Sequence, residues 1–248
     1  MYQIYEDIKI TKNYIEYEED GKKVRHTNIP SLDEIRDQII SLEYMKYYKA
    51  IGGKKARDNK LENYKIPAMV HTYYYIFAKT GQIPTVQDVC DEYIKKYVNV
   101  FKNGFAALKK EYKPNGEDLV FNVKDLKGRI CRAYNSWNRE IDLLINLIEN
   151  YGNEFNFYYS FYDDYKKGVD IVAYDKKGTR FEIATYFSST SSKKYKEIKN
   201  NFRHNYINRQ INLEAYFEGE NANVIEFGDA KLYNNVAVKY IYSELKAA

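Results

Sequence analysis

A chain of 248 residues, 44% hydrophobic and 30% charged, is long enough to bury a sizeable core and too apolar to be a disordered tail. Its net charge of +4 allows a polyanionic partner without requiring one, so the placement of charge matters more than its sum. Cys90 and Cys131 stand far apart with no Cys or His neighbour at ligand spacing, which argues against a disulfide framework or structural zinc and predicts reduced, buried thiols. No basic start leads into an apolar run, and no stretch approaches about 18 uninterrupted apolar residues, so the expectation is a cytoplasmic protein with no membrane partner.

Residues 2–29 alternate in polarity around Glu19-Asp20-Gly21-Lys22 and predict a β-hairpin. Ser31, with Glu34 three residues later, forms a capping-box pattern for a helix whose apolar stripe is Leu32, Ile35, Ile39 and Leu42. The polar tract 52–66 reads as a loop, with Gly52 to Lys60 as a basic stretch. Helices follow at 67–79, 86–97 and 98–112, the first carrying a core stripe of Tyr73, Tyr74, Tyr75 and Phe77. The turn between the first two makes Thr80 to Tyr97 a candidate helix-turn-helix element. Pro114-Asn115-Gly116 ends this stretch and places a boundary at 128/129, dividing the chain into an N-terminal hairpin-plus-helical region, 1–128, and a second region, 129–248.

In the second region Asn135 or Ser136 can cap a helix with apolar positions Trp137, Ile141, Leu144, Ile148 and Tyr151, stopped by Gly152. Strands are predicted at 155–161, 169–174 and 180–187, the last two joined by Asp175-Lys176-Lys177-Gly178. A basic helix covers 192–210, further strands cover 223–227 and 236–241, and a short helix ends the chain. The class is mixed α/β (α+β), with a central mixed sheet flanked by helices in the second region.

Three acids fall at telling positions. Glu140 lies at the border of the buried helix face, Asp170 in the apolar run Val169-Asp170-Ile171-Val172, and Glu182 in Phe181-Glu182-Ile183-Ala184. A carboxylate in such a strand is costly unless something pairs with it. The hairpin can set Asp170 beside Glu182 with carboxylates within about 6 Å, close enough to share a divalent cation. Each acid also has a plain reading: solvated strand residues for Asp170 and Glu182, a helix-dipole partner for Glu140.

On these residues the segment 129–202 resembles the PD-(D/E)xK nuclease superfamily, restriction-endonuclease-like. Arg139-Glu140 matches the family's helical arginine–glutamate pair, Gly168-Val169-Asp170-Ile171 its aspartate strand, and Glu182 its second acid. The resemblance implies a restriction-endonuclease-like core over 129–248. It implies Mg2+, with Mn2+ as substitute, held by Asp170 and Glu182, with Glu140 completing the site. The family pattern wants Lys two residues after the second acid, and this chain has Ala184. Lys193, Lys194, Lys196 and Lys199 are candidate replacements from a neighbouring element, Lys193 and Lys194 foremost as catalytic residues, and Arg180, two residues before Glu182, is another.

The stretch 193–209 holds Lys193, Lys194, Lys196, Lys199, Arg203 and Arg209 against Glu197 alone. Such a face beside a carboxylate cleft would hold phosphates, so Arg180, Lys193, Lys194, Lys196, Lys199 and Arg203 are the expected DNA-binding residues, unless the helix is merely a solvated face. His26, His71 and His204 are isolated. The leading expectation is therefore a metal-dependent endonuclease cutting DNA phosphodiesters, of restriction type or from a mobile element. Enzymes that cut both strands commonly act as homodimers, though no dimer surface is legible. Ala184 keeps open a catalytically inactive DNA-binding protein of the same fold. A phage or mobile-element interaction protein is the third reading.

Overall fold

The computed structural model describes residues 7–42, 49, 68–96, 123–187, 209–219 and 222–247. Asp20 and Gly21 take φ of 51° and 72°, the doubly positive geometry of a tight hairpin turn that a glycine favours. They fold strand β2 (Ile15–Glu19) onto β3 (Lys22–His26), with Glu19 opposite Lys22. Strand β1 (Lys9–Thr11) pairs antiparallel with β2 on one side. On the other it pairs with β4 (Asn156–Ser160). Strands β5 (Ile171–Tyr174), β6 (Arg180–Phe187) and β7 (Arg209–Ala215) complete a seven-stranded sheet in the order β3-β2-β1-β4-β5-β6-β7. All neighbours are antiparallel except β6 and β7, which run parallel and so need a crossover connection; residues 188–208 make it and lie outside the described residues.

The expected boundary at 128/129 falls inside a helix, and the pairing of β1 with β4 places strands from both predicted regions in one sheet. That helix, Val123–Tyr151, begins well before Asn135, which therefore caps nothing. Buried Leu126, Ile130, Cys131 and Tyr134 continue the apolar face upstream, and Ser136 instead donates along the helix to Glu140 at 3.0 Å. With α1 (Leu32–Ser41), α2 (Met69–Thr80) and α3 (86–96) preceding it, this long helix is α4. The capping box of α1 forms as the sequence predicts: the Glu34 N–H donates to the Ser31 hydroxyl, and the Ser31 N–H donates to the Glu34 carboxylate at 2.8 Å.

Two other expectations are corrected. Arg209 and Gln210 belong to strand β7 rather than to the end of a basic helix. The expected strand 236–241 is helix α5 (Asn235–Ala247). Val236, Val238 and Tyr240 alternate and imitate a strand, but Ala237, Val238, Ile241 and Leu245 are the buried positions, which is helical spacing. Asn234 supplies the cap, its side-chain oxygen accepting the Val236 N–H at 2.8 Å. A separate hairpin of β8 (Val224–Phe227) and β9 (Ala230–Tyr233) packs on α4 and α5. The predicted loop 52–66, the helix 98–112 and the basic stretch 192–208 lie outside the described residues.

Every residue from 137 to 148 except Glu140 is buried, so α4 is enclosed on all sides rather than along one stripe. Several of its polar residues are tied to neighbouring elements. Tyr73 of α2 donates to Asn138 at 2.8 Å, and Arg139 donates to the Lys231 carbonyl at 3.2 Å. Asp142 accepts from Arg36 of α1 at 2.8 Å, and Glu149, two turns on, accepts the Leu32 N–H at 2.7 Å. Stacked Tyr74 and Tyr159, with centroids 3.8 Å apart, tie α2 to the sheet. Neither cysteine is in a disulfide and both are buried, and burial pushes the thiols up to about 11 for Cys90 and about 12 for Cys131.

The Arg36–Asp142 pair makes a testable statement. Burial holds the Asp142 carboxyl above its ordinary range, against the opposing pull of Arg36. Arg36→Ala should therefore lower stability at pH 7 by about 3–5 kcal/mol, because it strands a buried charge. A carboxyl raised in the fold takes up its proton first in the folded state, so the loss should shrink as pH falls toward 5. Urea midpoints at both pH values check this; an equal loss at both would overturn the charge argument.

Candidate functional site

Tyr162 leads into a π-helical turn, Asp163–Lys167, that Gly168 closes with φ of 61°. The turn delivers Asp170 to the start of β5, one residue outside the strand rather than inside it. The Asp170 N–H donates to the Ile183 carbonyl at 3.0 Å. Its carboxylate accepts the Thr185 N–H, so the side chain extends the ladder at the mouth between β5 and β6. Asp170 is thereby fixed by main chain, which a loop carboxylate would not be.

Glu140 faces this mouth from α4. Ser136 donates to its Oε1 at 3.0 Å and the Tyr74 hydroxyl lies 3.5 Å from its Oε2. Burial, and then the charges of Asp170 and Asp164, raise the Glu140 carboxyl well above the carboxylate range, with Arg139 pulling the other way. Asp164 accepts from the Tyr159 hydroxyl at 3.1 Å. Burial first, and then carboxylate charge, raises the hydroxyls of Tyr74 and Tyr159, which stay protonated as donors. The structure thus brings Glu140 and Asp170 together and adds Asp164, which sequence reasoning missed; the acid pair Asp163-Asp164 just before Gly168 was the available signal.

Glu182 has a different environment. It lies opposite Val172, and Val172 opposite Tyr158, across three strands. Arg180 donates from Nε to Glu182 at 3.1 Å, from NH2 to Asp163 at 2.9 Å, and from NH1 to the hydroxyls of Tyr158 and Tyr174 at 3.2 and 3.3 Å. Lys167 also meets Asp163, at 2.6 Å. The guanidinium expected to bind DNA is therefore engaged by four protein groups, and its work is to seat the π-helical turn on the sheet. Ala184 is buried. Lys193, Lys194, Lys196, Lys199 and Arg203 lie outside the described residues.

Mg2+ takes hard oxygen ligands, commonly one or two carboxylates completed by water and phosphate. Glu140 and Asp170 fit that donor chemistry: both are carboxylates, and the charge of Asp170 is one of the causes that raise Glu140, a cause that a bound cation would offset. Glu182 fits less well because Arg180 already balances it. Among the described residues no group of three or more His, Cys, Asp or Glu side chains is arranged to hold a metal ion.

The helix–turn–helix α2–α3 forms, and its surface carries both signs of charge. Asp88, Asp91 and Glu92 of α3 face Glu18, Glu19 and Asp20 of the first hairpin across a cavity of about 940 Å³ that Lys79, Lys95 and Lys96 also line. Lys79 pairs with Glu19 and Lys95 with Glu92. His71 is buried between Tyr75 and Phe161, and His26 lies 2.6 Å from the Ala78 carbonyl, so both read as core or packing residues.

Comparison with known protein families, curated proteins and solved structures returned no match. Among the described residues no helix is long and apolar enough to cross a membrane.

The raised Glu140 carboxyl carries a sign. Its folded state holds the proton more tightly than the unfolded chain, so it costs stability above the ordinary carboxylate range, around pH 4.3, and costs nothing below it. Glu140→Gln should raise the urea midpoint at pH 8, with the gain fading as pH falls to 4. A lower midpoint at pH 8 would show that the carboxylate supports the fold.

Proposed function

We propose that the chain is a divalent-cation-dependent endonuclease in which Glu140 and Asp170 hold the cation. The observation that carries this reading is the convergence of Glu140, Asp170 and Asp164 at the mouth between β5 and β6, where folding tolerates mutual repulsion of acids. The element order around these acids, a helix followed by a three-strand antiparallel meander, supports it as well.

A bound Mg2+ would polarise the phosphodiester and lower the pKa of a coordinated water. The chain's own contributions are orientation and charge. The Thr185 N–H fixes the Asp170 carboxylate, and Ser136 and Tyr74 fix that of Glu140. The ammonium groups of Lys193 and Lys194 would stabilise the phosphate, in place of the lysine that Ala184 does not provide. Lys196, Lys199 and Arg203 would hold the flanking DNA backbone.

A second reading, a protein that binds DNA without cutting it, is favoured by one observation: Glu182 is balanced by Arg180 two residues before buried Ala184, which leaves that pair of positions without metal or ammonium chemistry.

Incubation with supercoiled plasmid in Mg2+ or Mn2+ separates the two. Cleavage is expected, and EDTA should stop it. Asp170→Asn and Glu140→Gln should each slow it by roughly a hundredfold or more while retaining DNA on a gel. Salt-sensitive DNA retention without cleavage in either metal would establish the second reading. No retention even at low salt would instead favour a protein-interaction role.

A further inference from the structure

Among the described residues strand β7 is an edge of the large sheet, and its two faces differ. Ile211, Leu213 and Ala215 are buried in the core, while Asn212 and Glu214 alternate with them onto the other face. Tyr186 of β6 is the register partner of Glu214. Tyr216 follows the strand, and Tyr240 comes from α5. Together these side chains line a cavity of about 330 Å³.

The polar groups of this cavity are arranged around one carboxylate. Tyr216 donates its hydroxyl to Glu214 Oε2 at 2.7 Å, and Tyr186 donates to the same oxygen at 3.3 Å. Burial, and then the Glu214 charge, push the Tyr186 hydroxyl up to about 12, with Tyr216 and Tyr240 adding to the effect. The hydroxyl of Tyr240 is raised by burial and then by Glu244, a second carboxylate on α5. Asn212 Oδ1 is buried and accepts no hydrogen bond from the protein, a costly state unless a ligand donor reaches it.

Asn223 braces the loop that completes the cavity. Its Nδ2 donates to the Glu214 carbonyl at 2.7 Å, and its Oδ1 accepts the Tyr216 N–H at 2.8 Å. Both ends of its amide are spent on holding Tyr216 over Glu214. Tyr216 and Tyr240 are 41% exposed, so the site opens to solvent.

A concave site with three phenol rings, a central carboxylate and an acceptor in need of a donor suits a positively charged ligand bearing N–H groups. We propose that Tyr186, Glu214, Tyr216, Tyr240 and Asn212 form a binding site for an alkylammonium group. The ammonium would donate to Glu214 and Asn212 and lie against the tyrosines. The volume takes a short aliphatic amine, either free, as in a polyamine, or as the end of a lysine side chain. This site is distinct in residues from the Glu140–Asp170 mouth and does not depend on the nuclease reading.

Titration of the full chain, carrying ring-labelled tyrosine, by NMR tests the proposal. n-Butylammonium, spermidine and Nα-acetyl-lysine amide should give saturable shifts, while n-butanol, of the same shape without charge, should give none. Tighter binding of spermidine than of the lysine amide assigns a free polyamine, and the reverse order a protein side chain; either supports the site. Glu214→Gln should weaken butylammonium at least tenfold, and Tyr240→Ala, at an exposed helix position, by about two- to thirtyfold. The proposal fails if no amine saturates, if Glu214→Gln binds as well as the unmodified chain, or if tetramethylammonium, which has no N–H, binds more tightly than butylammonium.

Discussion

Helix α4 can sit at the centre of this molecule because Asn138, Arg139 and Asp142, which it carries inward, each find a group to meet them. A polar atom taken from water without a partner costs a large fraction of a domain's net stability. Asn138, Arg139 and Asp142 therefore dictate what may surround the helix. Asn138 needs a donor and is given Tyr73 of α2; Asp142 needs a cation and is given Arg36 of α1; Arg139 needs an acceptor and is given a carbonyl of β9. Three neighbours are thus set in place by hydrogen bonds whose directionality apolar packing lacks.

Against that rule Glu140 stands out. It is the one residue of the enclosed stretch that is not fully buried, and the groups that act on it most strongly are other carboxylates. The adjacent residues Asp163 and Asp164 show the contrast at short range. Asp163 joins Arg180, Lys167 and Glu182 in a network of alternating charge, while Asp164 joins Glu140 and Asp170. On one side of the π-helical turn the charges alternate in sign; on the other, the charges of Asp170 and Asp164 add to burial in raising Glu140.

Much of the architecture was readable before any coordinates. Asp20-Gly21 demanded a hairpin, Ser31 and Glu34 demanded a helix start, and the strands of the meander were found within a residue or two. The upstream half of α4 was hidden because Lys127-Gly128-Arg129 reads as a boundary, although Leu126, Ile130, Cys131 and Tyr134 around it keep helical spacing. Val236, Val238 and Tyr240 alternate like a strand, and only Asn234, acting as cap, shows that they begin a helix. Arg209 and Gln210 begin a strand although their composition continues a basic stretch. At the candidate site the proximity of Glu140 and Asp170 was within reach of the sequence, but the capture of Glu182 by Arg180 was not. It depends on two residues of one strand sharing a face with tyrosines from two others.

The pairing of Lys9 with Ser160 has a consequence for how the chain is made. Strands β1 to β3 leave the ribosome first, but the strand that flanks them is encoded roughly 150 residues later. At about 5–20 residues per second, translation leaves one edge of that meander uncovered for roughly ten to thirty seconds. For that interval Ile8, Ile10 and Ile15, all core residues of the finished fold, have no β4 to close over them. A nascent sheet edge of this kind can recruit a neighbouring chain, so yield during synthesis is governed by how long β1 waits.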